Sequence, residues 1–149
     1  MSNPFIHIEL NTGNPKAAKA FYKKLFDWKM TDTNLPPAMA YTMIHTSAGK
    51  NGAGGGIWTN PMPGAPPAWM PYVEVADVKK SVAKAAKLGA KVHVAFQEIP
   101  GGTLGVFEDP TGAVIGVWAK AKKAAKKAGK KDAARKAAKK PVKKNAKKK

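Results

Sequence analysis

The chain has 149 residues, a formal net charge of +18, three histidines and no cysteine. Without cysteine, disulfides, thiolate zinc sites and thiol nucleophiles are excluded, and no apolar run reaches the ~18 residues a membrane span requires. The charge is uneven: residues 1–119 hold 11 basic and 8 acidic residues, whereas residues 120–149 hold 15 lysines, Arg135 and the single acid Asp132.

The opening Met-Ser-Asn-Pro-Phe lacks a basic stretch followed by an apolar one, so no signal peptide is expected and a cytoplasmic location is. Phe5 to Thr12 alternates as a strand, with Ile8 and Leu10 on one face and His7, Glu9 and Asn11 on the other. Asn14-Pro15 starts a helix, since Asn accepts from free amides and Pro suits the first turn. Its apolar stripe is Ala18, Phe21, Tyr22, Leu25 and Phe26. Trp28 to Thr31 reads as a short strand and Asn34 to Pro37 as a loop, because paired prolines oppose helix and interior strand. Tyr41–His45 and Gly54–Thr59 read as strands, joined by a turn from Ser47 to Gly52. Asn60 to Ala68 carries four prolines and should be a stiff connector.

A second unit follows in the same order. Trp69 to Val75 reads as a strand, and Asp77 caps a helix whose buried stripe is Val78, Val82, Ala85 and Leu88. Gly89 closes that helix. Lys91–Phe96, Thr103–Glu108 and Ala113–Ala119 supply three strands, with Asp109-Pro-Thr-Gly112 as the turn between the last two. The units match in detail: His7 to Asn14 leads into a helix as Met70 to Asp77 does 63 positions later, Leu25 falls on Leu88, and Gly56-Ile57-Trp58 reappears as Gly116-Val117-Trp118. The expected fold class is α+β: two βαβββ modules, residues 5–59 and 69–119, forming one cup-shaped mixed sheet in a domain of residues 1–119.

This doubled order, with His7, the Ala-Phe-Tyr of residues 20–22 and Asp109-Pro110-Thr111-Gly112, resembles the vicinal oxygen chelate superfamily. That group includes glyoxalase I, extradiol dioxygenases and bleomycin-resistance proteins. The resemblance implies a cup whose metal-using members place one ligand on the first and last strand of each module. Those positions fall here on His7, Gly56, Met70 and Gly116. Glycine offers no side chain and a thioether suits soft ions, so one imidazole remains, far short of three or four converging ligands. The expectation is a site with no metal and no cofactor, His7 being a ligand only if a metal is present. It is also a fold leaning away from catalysis.

Strand alternation assigns His7, Glu9, Asn11, Gly56, Trp58, Met70, Tyr72, Glu74, Gly116 and Trp118 to the cup, and Ile8, Leu10, Ile57, Val73, Val75 and Val117 to the helix-facing core. Aromatic walls with a few polar groups suit a small molecule. Trp58 and Trp118, at equivalent positions, point to a planar or cationic ligand, with Glu9 and Glu74 as counter-charges or as wet, solvated carboxylates. His45 and His93 receive no role. The alternative reading is a metal-dependent glyoxalase-like lyase or dioxygenase whose ligands are completed by a partner chain, and a homodimer is expected.

Residues 120–149 are Ala/Lys low complexity. Lysines one turn apart repel, so the tail is expected to be disordered in isolation, and it looks like the terminal tails of linker histones. Lys122, Lys123, Lys126, Lys127, Lys130, Lys131, Arg135, Lys136, Lys139, Lys140, Lys143 and Lys144 are the candidate contacts to DNA or another polyanion, bound non-specifically. A nucleoid-associated location would follow. No membrane role is expected, because no Trp, Phe or Leu interrupts the lysines.

Overall fold

A computed structural model describes residues 2–35, 39–47 and 53–121. Residues 122–149, and with them every proposed tail contact, lie outside the described residues. Ten elements follow in chain order: β1 (Phe5–Thr12), α1 (Pro15–Leu25), β2 (Lys29–Leu35), β3 (Met39–His45), β4 (Gly54–Thr59), β5 (Ala68–Glu74), α2 (Val78–Lys87), β6 (Lys91–Ile99), β7 (Gly102–Glu108) and β8 (Val114–Lys120). They form the expected two βαβββ modules.

All eight strands share one curled mixed sheet in the order β2-β3-β4-β1-β5-β8-β7-β6. Within each module the first and last strands are parallel, β1 to β4 and β5 to β8. The modules join antiparallel through β1 and β5, where Glu9 faces Met70 and His7 faces Tyr72. Both helices cover the same side. Leu10, Ile44 and Ile57 form the core under α1, and Val78, Val82, Val117 and Ala119 the core under α2. The opposite, concave side carries the functional candidates.

Local chemistry explains the helix ends. The Asn14 side chain accepts from Ala17 N at 3.0 Å with Pro15 in the first turn, and Asp77 accepts from Lys80 N at 3.0 Å. Gly89 ends α2 with φ +94°, a backbone few other residues adopt. The Asp109 carboxylate accepts from Thr111 N, Thr111 Oγ1 and Ala113 N, which closes the β7–β8 turn.

Several expectations need correction. β2 runs on through Asn34 and Leu35, which pair with Ala40 and Met39, so the loop begins later than the prolines suggest. β6 extends to Ile99 and β8 to Lys120, where Ala121 N donates to Gly101 O. The Asn60–Ala68 connector is folded on itself: Asn60 accepts from Met62 N and donates to Ala65 O. The helix stripes are buried only in part. Ala18 and Tyr22 pack on the sheet, whereas Phe21 (59%), Leu25 (56%) and Phe26 stay exposed, as does Leu88 at 70%. Ile8, assigned to the core, is exposed at 40%. Among the described residues no helix is long and apolar enough to cross a membrane.

Candidate functional site

Three rungs of the sheet build the concave floor. Asn11 on β1 stands beside Trp58 on β4, which pairs with Tyr41 on β3. Glu9 stands between Gly56 and Met70. His7 faces Tyr72 on β5, which pairs with Gly116 on β8. Alternation sends all these side chains to the same face, as the sequence indicated for each of them except Tyr41.

Tyr41 and Tyr72 fill the room that the glycines leave. A Cβ on Gly56 would overlap the Tyr41 hydroxyl, and a Cβ on Gly116 would overlap the Tyr72 ring. Both hydroxyls turn to Glu9: Tyr41 donates to Oε2 at 3.0 Å and Tyr72 to Oε1 at 3.3 Å. His7 Nε2 lies 2.7 Å from the Tyr41 oxygen. A phenol has one proton, so while Tyr41 donates to Glu9, His7 must donate through Nε2 and keep Nδ1 free of a proton. The result is one hydrogen-bonded line, His7 to Tyr41 to Glu9 to Tyr72.

Electrostatics follow from burial. Glu9 is only 7% exposed, not wet as its place in an open cup implied. Burial pushes its carboxyl above the usual range; bonds from Tyr41 and Tyr72 oppose this, and so does the nearby Trp58 ring N–H. That N–H stays outside hydrogen-bonding geometry, and neither it nor the equally buried Asn11 Oδ1 has a partner among the described residues. Burial lowers the His7 pKa, favouring neutral imidazole. Burial, and then the Glu9 charge, push both tyrosine hydroxyls far up, so they remain protonated donors.

The other candidates lie apart from this line. Met70 is buried next to Glu9 on β5. Glu74 is half-buried at the far end of β5, opposite Trp118, and its carbonyl accepts from Asn3. Trp118 packs over Gly102, whose Cβ would meet its Nε1 at 2.7 Å. Among the described ring contacts none joins Trp58 to Trp118, so the symmetric pair does not close into a box. His93, left without a role, pairs with Glu108 at 3.1 Å on the outer strands. The residue missed outright is Tyr41. Its signal was available: Tyr41 lies on a strand whose neighbour carries Gly56 and Trp58, and an aromatic near a strand glycine can fill its vacancy.

Among the described residues no three His, Asp or Glu side chains come together as metal ligands would. The donors that are present are already engaged, with both Glu9 oxygens and His7 Nε2 held by phenols.

Comparison with known proteins agrees with this architecture. The family model described as "Glyoxalase/Bleomycin resistance protein/Dioxygenase superfamily" matches residues 5–117. Proteins named "Putative glyoxylase CFP32" in Mycobacterium bovis and Mycobacterium tuberculosis are 34% identical over 117 residues, covering 74% of this chain. The chain spans 43% of the length of those relatives. Among solved structures, the hypothetical protein BH1468 from Bacillus halodurans superposes with a TM-score of 0.62 at 13% identity, over 83% of this chain and 99% of that one. Methylmalonyl-CoA epimerase from Mycobacterium tuberculosis does so with 0.57 at 10% identity, over 79% and 88%. These two likenesses concern the fold.

Proposed function

The chain belongs to the glyoxalase/bleomycin resistance protein/dioxygenase superfamily, and on that footing we propose that its concave face binds a small planar or cationic molecule without a metal ion. The observation that carries this reading is Glu9: a buried carboxylate held by two phenols, with no cation against it among the described residues. A buried negative charge without a positive partner is costly, and a ligand cation would supply that partner. The π faces of Tyr41, Tyr72 and Trp58 suit the same cation. Asn11 Oδ1 and Trp58 Nε1, an acceptor and a donor without partners among the described residues, offer polar contacts on the neighbouring rung.

The donor set does not fit a hard divalent ion. Two of the four family ligand positions are glycines whose space the tyrosines take, and the third is Met70. No catalytic step through a metal is therefore derived. The name carried by the mycobacterial relatives favours a second reading, a metal-dependent lyase or dioxygenase with ligands completed by a partner subunit in a homodimer. The tail is proposed to bind DNA or another polyanion non-specifically, through counterion release by its lysines.

Tryptophan fluorescence and thermal shift on the full chain separate these readings, with benzamidinium as a planar cation and benzamide as its uncharged analogue. Benzamidinium is expected to raise the melting temperature, benzamide to do so less, and Glu9→Gln to remove the difference. Equal responses to both probes in the native protein would refute the cationic ligand. Stoichiometric Ni, Zn, Fe or Mn that disappears in His7→Ala would establish the metal reading instead.

A further inference from the structure

Charge on the folded domain is segregated by element. α1 carries Lys16, Lys19, Lys23 and Lys24, α2 carries Lys79, Lys80, Lys84 and Lys87, and neither helix has an acidic residue. The rest of residues 1–119 has three lysines against eight acids. Both helices lie on the convex side, because Leu10 and Ile57 beneath α1 and Val117 beneath α2 alternate with Glu9, Gly56 and Gly116 on the concave side.

At 3.6 residues per turn, Lys16, Lys23 and Lys24 stand opposite Ala18 and Tyr22, which pack on the sheet. Lys80, Lys84 and Lys87 likewise stand opposite the buried Val78 and Val82. All six are exposed, and none is in an ion pair among the described residues. The other two helix lysines are engaged: Lys19 pairs with Asp32, and Lys79 sits 4.3 Å over the Phe96 ring.

The geometry points to the convex helical face as a binding surface for duplex nucleic acid, read through its phosphates and independent of sequence. Six like charges on one face repel one another, and a polyanion turns that repulsion into attraction. α1 lies over β4, β1 and β2, and α2 over β6, β7 and β8. The centres of the two helices are thus separated by four to five strand spacings of ~4.8 Å along the sheet, roughly 20 Å. Phe21 and Leu25 are also exposed on α1 and Leu88 at the end of α2, so an anionic bilayer is the rival occupant that the vesicle measurement tests.

This surface lies on the described domain and does not depend on the tail. The test uses the full chain with Lys16, Lys23, Lys24, Lys80, Lys84 and Lys87 all changed to Gln, which preserves helix propensity. Anisotropy of a labelled 20-base-pair DNA duplex is followed from 50 to 200 mM salt, alongside binding to phosphatidylserine vesicles. The native slope of log K against log[salt] is expected to become shallower by about 5, at ~0.9 for each phosphate no longer neutralised. A slope unchanged within one unit overturns the inference, and so does loss of vesicle binding with DNA binding intact. Should the sixfold variant fail to fold by circular dichroism, each threefold variant (K16Q/K23Q/K24Q and K80Q/K84Q/K87Q) should lower the slope by about 3, and no change in either overturns it. In a variant whose tail lysines are changed to Gln, a slope equal to the native one would refute the tail, and continued sensitivity to the helix lysines would support this surface.

Discussion

Glu9 and Tyr72 occupy equivalent positions in the two modules, 63 residues apart, and they bond to each other across the β1–β5 join. Duplication followed by divergence has thus placed an acceptor on one side of the pseudo-symmetric centre and a donor on the other. Tyr41 supplies the second donor from β3. The arrangement satisfies both carboxylate oxygens with neutral groups, which stabilise the ionised form less than a cation would. Burial therefore leaves the Glu9 pKa raised. Between the ordinary glutamate value, about 4.3, and the raised folded one, the native state keeps a proton that the unfolded chain has released. Stability contributed by Glu9 is full below that interval and falls as pH rises through it. Thermal melts of the native protein and Glu9→Gln should coincide near pH 3.5 and diverge by pH 7, with the variant melting higher. His7 acts in the opposite sense, since its lowered pKa costs stability as pH falls below about 6.5, but it is common to both proteins. A Glu9→Gln variant that melts lower than the native protein at pH 7 would contradict the account.

The two helices hold the same place in their modules, and packing makes them unequal. α2 buries Val78 at 2% and Val82 at 4% exposure, while α1 buries no residue fully and leaves Phe21 and Leu25 on the surface. Tyr22 does most of the docking for α1, within an aromatic group of Phe26, Trp28 and Trp69. Apolar periodicity alone does not distinguish the two, because 3.6-residue spacing shows which face would be buried and not how much sheet lies beneath it. The expected consequence is a sharp difference in sensitivity. Val82→Ala should cost about 2 kcal/mol through reduced burial and a cavity, whereas Leu25→Ala should stay within about 0.5 kcal/mol. Urea unfolding of both variants measures the two values side by side, and equal losses would show that α1 is docked as firmly as α2.

Across the whole molecule, charge and pocket chemistry are kept apart. The concave side holds one buried acid among aromatics, the two helices on the convex side carry lysines and no acid within their own spans, and the tail adds 15 net positive charges in residues 120–149. If about ten tail charges engage phosphates, a full-length protein whose tail lysines are changed to Gln should show a salt slope shallower by roughly 9 than the native chain. Salt-dependent DNA binding measures this, and a slope that does not change removes the tail from the interaction.

The module order, the duplication, the helix caps and the parity of the strands were legible in the sequence, because alternation, capping residues and turn chemistry act over a few neighbouring positions. So were the residues that stand at the family's four ligand positions, His7, Gly56, Met70 and Gly116. What only the tertiary structure decided is what occupies the space those glycines leave. Tyr41 is separated from Glu9 by 32 residues and Tyr72 by 63. Their meeting depends on strand register and sheet curl, which bring distant chain segments within a hydrogen bond of each other. The same closure took Glu9 out of water, and burial, not residue type, sets the protonation of that carboxyl.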